Sequence, residues 1–252
     1  MSTLLVDVGN TRVKWRMLRG SRAGRVHARA HRGSAAAFAA LVRAAPADIE
    51  RVVAVCVAGA KLERALSAAV RARFGVRVEF ARSTRRAAGV RNGYRETWRL
   101  GADRWVGVIA AHALAGARPV LVVNAGTALT VDLVGADGRH HGGAIAPGPD
   151  TMIESLLQGT HGIRRRAHGA RPRGARARGL FARDTASAIE AGALNAAGAL
   201  VERAMIHARA AGTRPRVLLT GGGAGPLRTH IKSAVRVVPD LVLRGLAILA
   251  RG

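Results

Sequence analysis

The chain has 252 residues, of which 49% are hydrophobic, and its 41 Lys and Arg against 15 Asp and Glu give a formal charge of 41 − 15 = +26. This apolar fraction excludes a disordered basic tail, the single cysteine excludes a disulfide scaffold or a multi-cysteine metal site, and no apolar run is long enough to span a membrane. The length suits one large domain or two smaller ones, and the start lacks a signal-peptide pattern, so we expect a soluble, cytoplasmic protein.

The first predicted elements are two strands joined by a tight turn. Residues 3–8 form an apolar run with Asp7 near its end, residues 12–18 alternate polar and apolar, and Gly9-Asn10-Thr11 lie between them. Such a hairpin presents backbone N–H groups and small side chains at its tip. The next predicted elements are a helix over 34–45, a buried strand over 51–58, a helix over 61–74 and a strand over 76–80.

A second hairpin of the same design follows an apolar helix predicted over 105–117. Strands over 119–124 and 128–134 flank the turn Ala125-Gly126-Thr127, which lies 117 residues after the first turn. The remaining predicted elements are a long helix over 186–211 with Ser187 and Glu190 at capping-box spacing, a strand over 216–220 that ends in Gly221-Gly222-Gly223, and a helix over 240–250. Two halves that each open on a Gly-Thr hairpin predict an α/β protein with duplicated domains.

The two turns are suited to phosphate groups. Glycine lets the backbone approach closely, while N–H and hydroxyl groups donate to phosphate oxygens, and the carboxylate of Asp7 can hold Mg²⁺ directly or through water. A simple turn explains D-x-G-N-T equally well, and the chain has no Walker-type P-loop. His140 and His141 have no third ligand at metal spacing, so we expect both at the surface, and we assign Asp132 no role.

Seven motifs occur in the order DVGNTRVK (7–14), NGY (92–94), LGADRW (100–105), NAGTALTVD (124–132), GGAIAPG (142–148), DTASAIEAG (184–192) and TGGG (220–223). In this order and spacing they resemble type III pantothenate kinases, of the acetate kinase, sugar kinase, Hsp70 and actin superfamily, over nearly the whole chain. The resemblance implies two actin-like (ribonuclease H-like) domains, expected over 1–117 and 118–252, with a nucleotide cleft between them. It also implies a homodimer that phosphorylates pantothenate with ATP and Mg²⁺, the first step of coenzyme A biosynthesis.

The resemblance further implies roles for individual residues. ATP would be bound by Asp7, Val8, Gly9, Asn10, Thr11, Arg12, Val13, Lys14 and Thr127, with Asp7 also serving Mg²⁺. Pantothenate would be bound by Tyr94, Gly101, Ala102, Asp103, Arg104 and Thr185, with Asp103 as the catalytic base. Plain structural roles remain open: an ion pair at a helix start for Asp103 and Arg104, a surface position for Tyr94, and a helix cap for Asp184 and Thr185.

The chain departs from the family pattern at three places: Asn124, the arginine-rich segment 160–183, and residues 95–99, which lack the proline that often follows the family's Asn-Gly-Tyr. The family usually has Asp where this chain has Asn124, at a position associated with potassium or ammonium near ATP, and Asn lacks the charge that hard cations favour. We therefore expect weak or absent dependence on these cations. The stretch between Glu154 and Asp184 contains no acid and eight arginines, which indicates a basic loop that is either a solvated insertion or a flap over an anionic ligand.

Two alternatives to a kinase remain, namely a non-catalytic family member acting as a transcription accessory protein and a nucleic-acid-binding protein that uses the arginine surface. Aromatic residues are only 3% of the chain and we find no nucleic-acid-binding motif, which disfavours nucleic acid as a partner. The intact Asp7, Asp103 and Thr127 argue against a loss of catalysis.

Overall fold

The computed structural model describes residues 1–167 and 179–251. Within these ranges the strands are β1 (Ser2–Val8), β2 (Arg12–Arg19), β3 (Arg22–Ala23), β4 (His27–Ala30), β5 (Arg51–Cys56), β6 (Val78–Phe80), β7 (Arg86–Ala87), β8 (Val90–Arg91), β9 (Val120–Ala125), β10 (Ala128–Val134), β11 (His140–Pro147), β12 (Arg216–Thr220) and β13 (Val235–Val237). The helices are α1 (Ala36–Ala44), α2 (Ala60–Phe74), α3 (Ala102–Ala115), α4 (Pro149–Gly159), α5 (His161–Arg166), α6 (Thr185–Ala210), α7 (Ala224–Arg228) and α8 (Leu241–Leu249), with a 3₁₀ turn at Thr97–Arg99.

The chain divides into two compact units. The first unit contains Met1–Leu114 and Asp240–Gly252, and the second contains Ala115–Pro239. The expected division at 117/118 falls close to the first junction, but residues 240–252, expected in the second domain, group with the first unit. The physical reason is apolar packing, because Leu243 and Leu246 of α8 are fully buried in a cluster with Leu5 and Val106.

The first unit is built on a mixed sheet covered by helices on both faces. Its strand order is β3-β2-β1-β5-β6, with β4 also paired to β2; β1 and β2 are antiparallel, while β5 and β6 run parallel to β1. Successive side chains of a strand point to opposite faces. Leu4 and Val6 therefore pack with Phe38 of α1 and Leu66 of α2, while Leu5 packs on the face of α3 and α8.

The second unit repeats this arrangement. Its strand order is β11-β10-β9-β12-β13, with β9, β10 and β11 antiparallel and β12 and β13 parallel to β9. Val123 and Leu219 pack with Val201 of α6 and Leu227 of α7, and Ile153 of α4 packs near the start of α6. Each unit thus opens on an antiparallel hairpin followed by parallel strands, which confirms the predicted α/β class and the duplicated design.

Several elements have no counterpart in the sequence prediction: β3, β4, β7, β8, β11, β13, α4, α5 and α7. Many of these contain too few residues to show a hydrophobic period. Helix α5 occupies part of the stretch predicted as a basic loop, and the rest of that prediction, residues 168–178, lies outside the described residues. Of the helices in the described ranges, none combines the length and apolarity that a bilayer crossing requires.

The start of α6 differs from the predicted capping box. Asp184 is the N-cap residue, and its carboxylate accepts a hydrogen bond from the Ser187 N–H at 2.9 Å. This hydrogen bond is the main reason that the pKa of Asp184 lies below its ordinary value. Ser187 therefore donates to the cap instead of being the cap, and the helix begins at Thr185.

The expectation that His140 and His141 both lie at the surface is wrong for His140. His140 and Asp132 are 0% and 1% exposed, and His140 Nε2 lies 2.9 Å from Asp132 Oδ1. The pairing of β11 with β10, which contains a bulge next to Val134, carries His140 inside while His141 remains exposed. Asp132, to which the sequence assigned no role, therefore satisfies a buried polar group.

Candidate active site

The first Gly-containing turn joins β1 to β2 at one end of the first sheet. The Gly9 N–H donates to the Arg12 carbonyl at 3.0 Å, and Asn10, Thr11 and Arg12 are exposed. Small and polar groups at the tip of an exposed turn are available to an anionic ligand. The turn thus has the character expected of a phosphate contact.

Two of the residues expected to bind ATP lie in the hydrophobic core. The side chains of Val8 and Val13 are 0% exposed and pack with the cluster under α1 and α2. Only their backbone groups are therefore available to a ligand. Val8 and Val13 form the last pair of the hairpin before the exposed turn.

His31 lies directly behind this turn and was not singled out from the sequence. It is 3% exposed, and its ring Nε2 is 2.7 Å from the Gly9 carbonyl oxygen, 22 residues away in the chain. Its backbone N–H donates to the Thr11 carbonyl at 3.1 Å. No local pattern signals these contacts, since they arise only because β4 returns to pair with β2.

Asp7 lies on the face of β1 that is covered by α3 and α8. The pKa of Asp7 is raised to about 7, mainly by burial and to a smaller extent by the negative charges of Asp103 and Asp240, while Lys14 opposes the shift. Lys14 stands opposite Asp7 in the hairpin register, and its Nζ donates to Asp240 Oδ1 at 3.3 Å. One end of the sheet in the first unit therefore gathers three carboxylates and one ammonium group.

The sequence did not indicate Asp240. It precedes α8 in a left-handed conformation with φ 56° and ψ 39°, which is uncommon for a residue other than glycine. It is 226 residues from Lys14 in the chain, and only the return of the carboxyl-terminal segment to the first unit brings the two charges together.

Asn92 and Tyr94 of the NGY motif are held in a defined turn. Asn92 Oδ1 accepts from the Tyr94 N–H at 3.0 Å, and Asn92 Nδ2 lies 3.3 Å from the carbonyls of Thr84 and Thr97. The Tyr94 hydroxyl accepts from Nη1 of Arg104 at 3.0 Å, and that guanidinium lies 5.7 Å from the centre of the tyrosine ring. Tyr94 is thus partly buried against Arg104 and is more than a surface residue.

Asp103 and Arg104 begin α3 next to this turn. Asp103 Oδ1 accepts from the Arg104 N–H at 2.8 Å, and Arg104 is 7% exposed. A Cβ atom on Gly101 would lie 2.9 Å from the same Asp103 oxygen, so glycine leaves room for the carboxylate. The Ala102 side chain packs toward the cluster beneath α8. The structure therefore places four of the expected pantothenate residues, together with Tyr94, in one region of the first unit.

The second Gly-containing turn lies in the second unit, and Thr127 is exposed at its tip. The Thr127 carbonyl accepts from the Gly148 N–H at 2.9 Å and from Thr151 Oγ1 at 2.6 Å. A Cβ atom on Gly148 would lie 2.0 Å from the Gly126 carbonyl oxygen, so only glycine permits this contact. The GGAIAPG motif therefore supports the turn from behind.

The TGGG motif supports the same turn from another side. Gly221 has a φ of +97°, and a Cβ atom there would lie 2.3 Å from the Ala125 carbonyl oxygen and 2.6 Å from Asn124 Oδ1. The Gly223 N–H donates to the Ala125 carbonyl at 2.9 Å. Asn124 is the penultimate residue of β9, where it pairs with Thr220 of β12, and it is partly buried.

Thr185 is the first residue of α6 in the second unit and is partly buried. No group of three or more His, Cys, Asp or Glu side chains able to hold a metal ion occurs in residues 1–167 and 179–251. A magnesium ion near Asp7 would therefore need most of its ligands from phosphate oxygens and water, which suits the way Mg²⁺ binds in kinases.

Comparison with known proteins identifies the family. A family model described as type III pantothenate kinase matches residues 3–207. The protein named type III pantothenate kinase from Xanthomonas euvesicatoria is 41% identical over 251 residues, which are 99% of this chain and 98% of that protein. The protein of the same name from Aromatoleum aromaticum is 41% identical over 252 residues, covering 98% of this chain and 97% of that protein.

Solved structures show the fold. A putative 2-dehydro-3-deoxygalactonokinase from Sinorhizobium meliloti has a TM-score of 0.59 and 19% identity, covering 99% of this chain and 96% of that one. The ethanolamine utilization protein EutJ from Carboxydothermus hydrogenoformans has a TM-score of 0.55 and 12% identity, covering 100% of this chain and 90% of that one. These similarities confirm the predicted two-domain actin-like fold, and together with the family model and the relatives they show that the chain belongs to the type III pantothenate kinase family.

Proposed function

We propose that this chain phosphorylates pantothenate with ATP and so catalyses the first step of coenzyme A biosynthesis. The observation that carries the proposal is the gathering of Asp7, Lys14 and Asp103 at one end of the first sheet, in a chain 41% identical to a type III pantothenate kinase over 99% of its length. Phosphoryl transfer requires mainly positioning, charge neutralisation and a carboxylate that orients the nucleophile. These three side chains provide such groups.

In this proposal Asp103 accepts the proton of the pantothenate hydroxyl. Its place in the first turn of α3, with one oxygen bound to the Arg104 N–H, gives the carboxylate a defined orientation. Arg104, held by the Tyr94 hydroxyl, binds the pantothenate carboxylate, because guanidinium and carboxylate groups match in bidentate geometry. Gly101 and Ala102 shape this site, and Thr185 is proposed as a further pantothenate contact.

The phosphates of ATP are bound by the exposed backbone of residues 9–12 and by Lys14, and Thr127 provides a further contact. Lys14 carries the positive charge that β- and γ-phosphates need, and the carboxylate of Asp7 is a suitable oxygen ligand for Mg²⁺. When bound, the magnesium ion neutralises charge on the phosphate oxygens.

An ATP-coupled assay tests the function directly. The purified chain is given ATP and Mg²⁺ with pantothenate, and in parallel with several sugars and simple carboxylic acids. We expect turnover with pantothenate alone, since only this acceptor offers both a primary hydroxyl and a carboxylate for Arg104. Turnover with a sugar or with acetate, and none with pantothenate, would contradict the proposal.

The position of Asn124 bears on monovalent cations. An amide oxygen carries no full charge, so a potassium or ammonium ion there loses one electrostatic contact. We propose that the enzyme depends weakly or not at all on these cations. Initial rates with potassium, ammonium or a bulky organic cation at equal ionic strength should agree within about twofold. Asn124→Asp restores the charge and should make the rate more dependent on potassium. Strong activation by potassium in the wild-type chain would overturn this view.

By the same family resemblance we propose a cytoplasmic homodimer. Light scattering coupled to size-exclusion chromatography would give twice the mass of 26.3 kDa for a dimer. A monomeric mass with full activity would contradict it.

A further inference from the structure

We propose that His31 is a positioning residue that sets the conformation of the first phosphate-binding turn. The inference rests on the proposed function, because it assumes that the turn at residues 9–11 contacts ATP. His31 itself does not reach the exposed surface of the turn, since it is only 3% exposed. It acts on the ligand through the backbone of Gly9 and Thr11.

The ring of His31 has one partner on each nitrogen. The Gly33 N–H donates to Nδ1 at 3.0 Å, so Nδ1 is the acceptor and the ring proton lies on Nε2. Nε2–H then donates to the Gly9 carbonyl at 2.7 Å. Both ring nitrogens of this buried side chain are thereby satisfied, and the neutral ring with its proton on Nε2 is the form that makes both hydrogen bonds.

The ring is held firmly by the segment that follows β4. The Ser34 N–H donates to the His31 carbonyl at 2.6 Å, and the two residues after His31 have positive φ values, 47° at Arg32 and 76° at Gly33. This sharp turn places the Gly33 N–H against the same ring whose other nitrogen reaches Gly9. The orientation of the ring is thus determined by its own loop, and the ring in turn orients Gly9.

Peptide planarity carries this orientation to the ligand side of the turn. The Gly9 carbonyl and the Asn10 N–H belong to one trans peptide and point in opposite directions. When the carbonyl is held toward His31, the Asn10 N–H is aimed away from the core, at the exposed side of the turn. The same hydrogen bond also keeps the negative end of the Gly9 carbonyl dipole away from an approaching phosphate.

If His31 had a purely structural role, it would only fill the space behind the turn. Two amide variants distinguish this role from the positioning of Gly9 by a hydrogen bond. In His31→Gln the amide nitrogen is as many bonds from Cα as Nε2 is in histidine. Its N–H can therefore still donate to the Gly9 carbonyl. In His31→Asn the amide oxygen stands in place of Nδ1 and can accept from Gly33, but nothing reaches Gly9. Both variants are polar and smaller than histidine, so loss of packing affects both.

The test measures the dissociation constant of MgATP by calorimetry, the KM and kcat of pantothenate phosphorylation, and the melting temperature. We expect His31→Asn to weaken MgATP binding about tenfold, the effect of one lost orienting hydrogen bond, while His31→Gln stays within about threefold of wild type. The KM for pantothenate should change little in either variant. His27→Asn is the control, because His27 begins β4, the strand that ends just before His31, but it is exposed and stacks on Trp15 at 5.5 Å.

Equal MgATP affinities in both variants and the wild type would overturn the inference. Equal losses of MgATP affinity in the two variants, in proportion to their losses of melting temperature, would also overturn it. If the wild-type chain binds MgATP but does not phosphorylate pantothenate, the proposed function fails while the binding data still decide the role of His31. If the wild-type chain does not bind MgATP at all, both proposals fail.

Discussion

The carboxyl group of Asp7 illustrates how a single residue is set by its surroundings. It lies beneath α3 and α8, and burial together with Asp103 and Asp240 raises its pKa to about 7, although Lys14 stands opposite. In the unfolded chain the same group has its ordinary value of 3.8. Between these values the native state holds a proton that the unfolded state has released. Asp7 therefore stabilises the fold fully below pH 4 and loses this contribution as the pH rises to about 7.

Asp7→Asn should remove this pH-dependent contribution. Because the amide cannot ionise, the free energy of unfolding of the variant, relative to wild type, should rise by about 2–4 kcal/mol between pH 4 and pH 8. Urea denaturation of both proteins across this range measures the difference. Asp184→Asn is the control, because the pKa of that exposed carboxyl is lowered. Any effect of this substitution on the pH dependence of stability is therefore confined to acid pH. A constant difference between Asp7→Asn and wild type would contradict the raised pKa.

Asp103→Asn tests the assignment of the base. The amide is nearly the same size and can still accept from the Arg104 N–H, but it cannot take a proton from the hydroxyl. We expect kcat to fall by about two to four orders of magnitude while MgATP binding stays measurable by calorimetry. Near-wild-type turnover would show that another group is the base.

At the scale of elements, both units use one design, in which a Gly-containing turn joins the first two strands of a sheet and is supported from behind. His31 supports the first turn through a side chain, whereas Gly148 and Gly221 support the second through close backbone contact. A side chain on either glycine would collide with a carbonyl oxygen of the turn. Gly148 of the GGAIAPG motif and Gly221 of the TGGG motif are thus explained by packing against the turn.

Gly221→Ala should disturb the second turn. The added methyl group would lie 2.3 Å from the Ala125 carbonyl oxygen at a φ of +97°, so we expect a loss of about 1–3 kcal/mol in stability and a raised KM for ATP. Gly222→Ala is the matched control, because a Cβ atom there meets nothing within 4 Å. Denaturation and initial-rate measurements on both variants decide the matter. Equal effects of the two substitutions would argue against this explanation of the motif.

At the scale of the whole molecule, the charge of +26 bears on both substrates, since ATP and pantothenate are anions. A field of this sign should speed their capture at low ionic strength. We expect kcat/KM for ATP to fall several-fold between about 20 mM and 300 mM salt, with kcat nearly unchanged. A kcat/KM that is independent of salt would show that the charge has no such effect.

The same charge allows a test of the nucleic-acid alternative. Binding to duplex DNA through counterion release alone should disappear by about 0.2 M salt. Binding that persists above this concentration, and that depends on base sequence, would favour the alternative over a simple effect of composition.

The local pattern of the sequence determined much of the fold. Alternating strands, Gly-Thr turns and apolar helices are periodic over a few residues, so most elements, the two hairpins and the order of the family motifs were predictable. The catalytic and binding roles of Asp7, Asp103, Arg104 and Thr127 stay predictions, which the substitutions above test. Short strands, the helix α5 in the basic stretch and the buried His140 were missed because their positions depend on pairing partners.

The surroundings of the predicted residues were decided only by the tertiary structure. Asp240 reaches Lys14 across 226 residues because α8 buries its leucines in the first unit, and His31 reaches Gly9 because β4 pairs with β2. Neither contact has a local signal, since hydrophobic burial and sheet pairing determine which distant segments meet. The sequence by itself determined the family, most of the longer elements and most of the candidate residues, whereas long-range packing decided which charges and hydrogen bonds surround them.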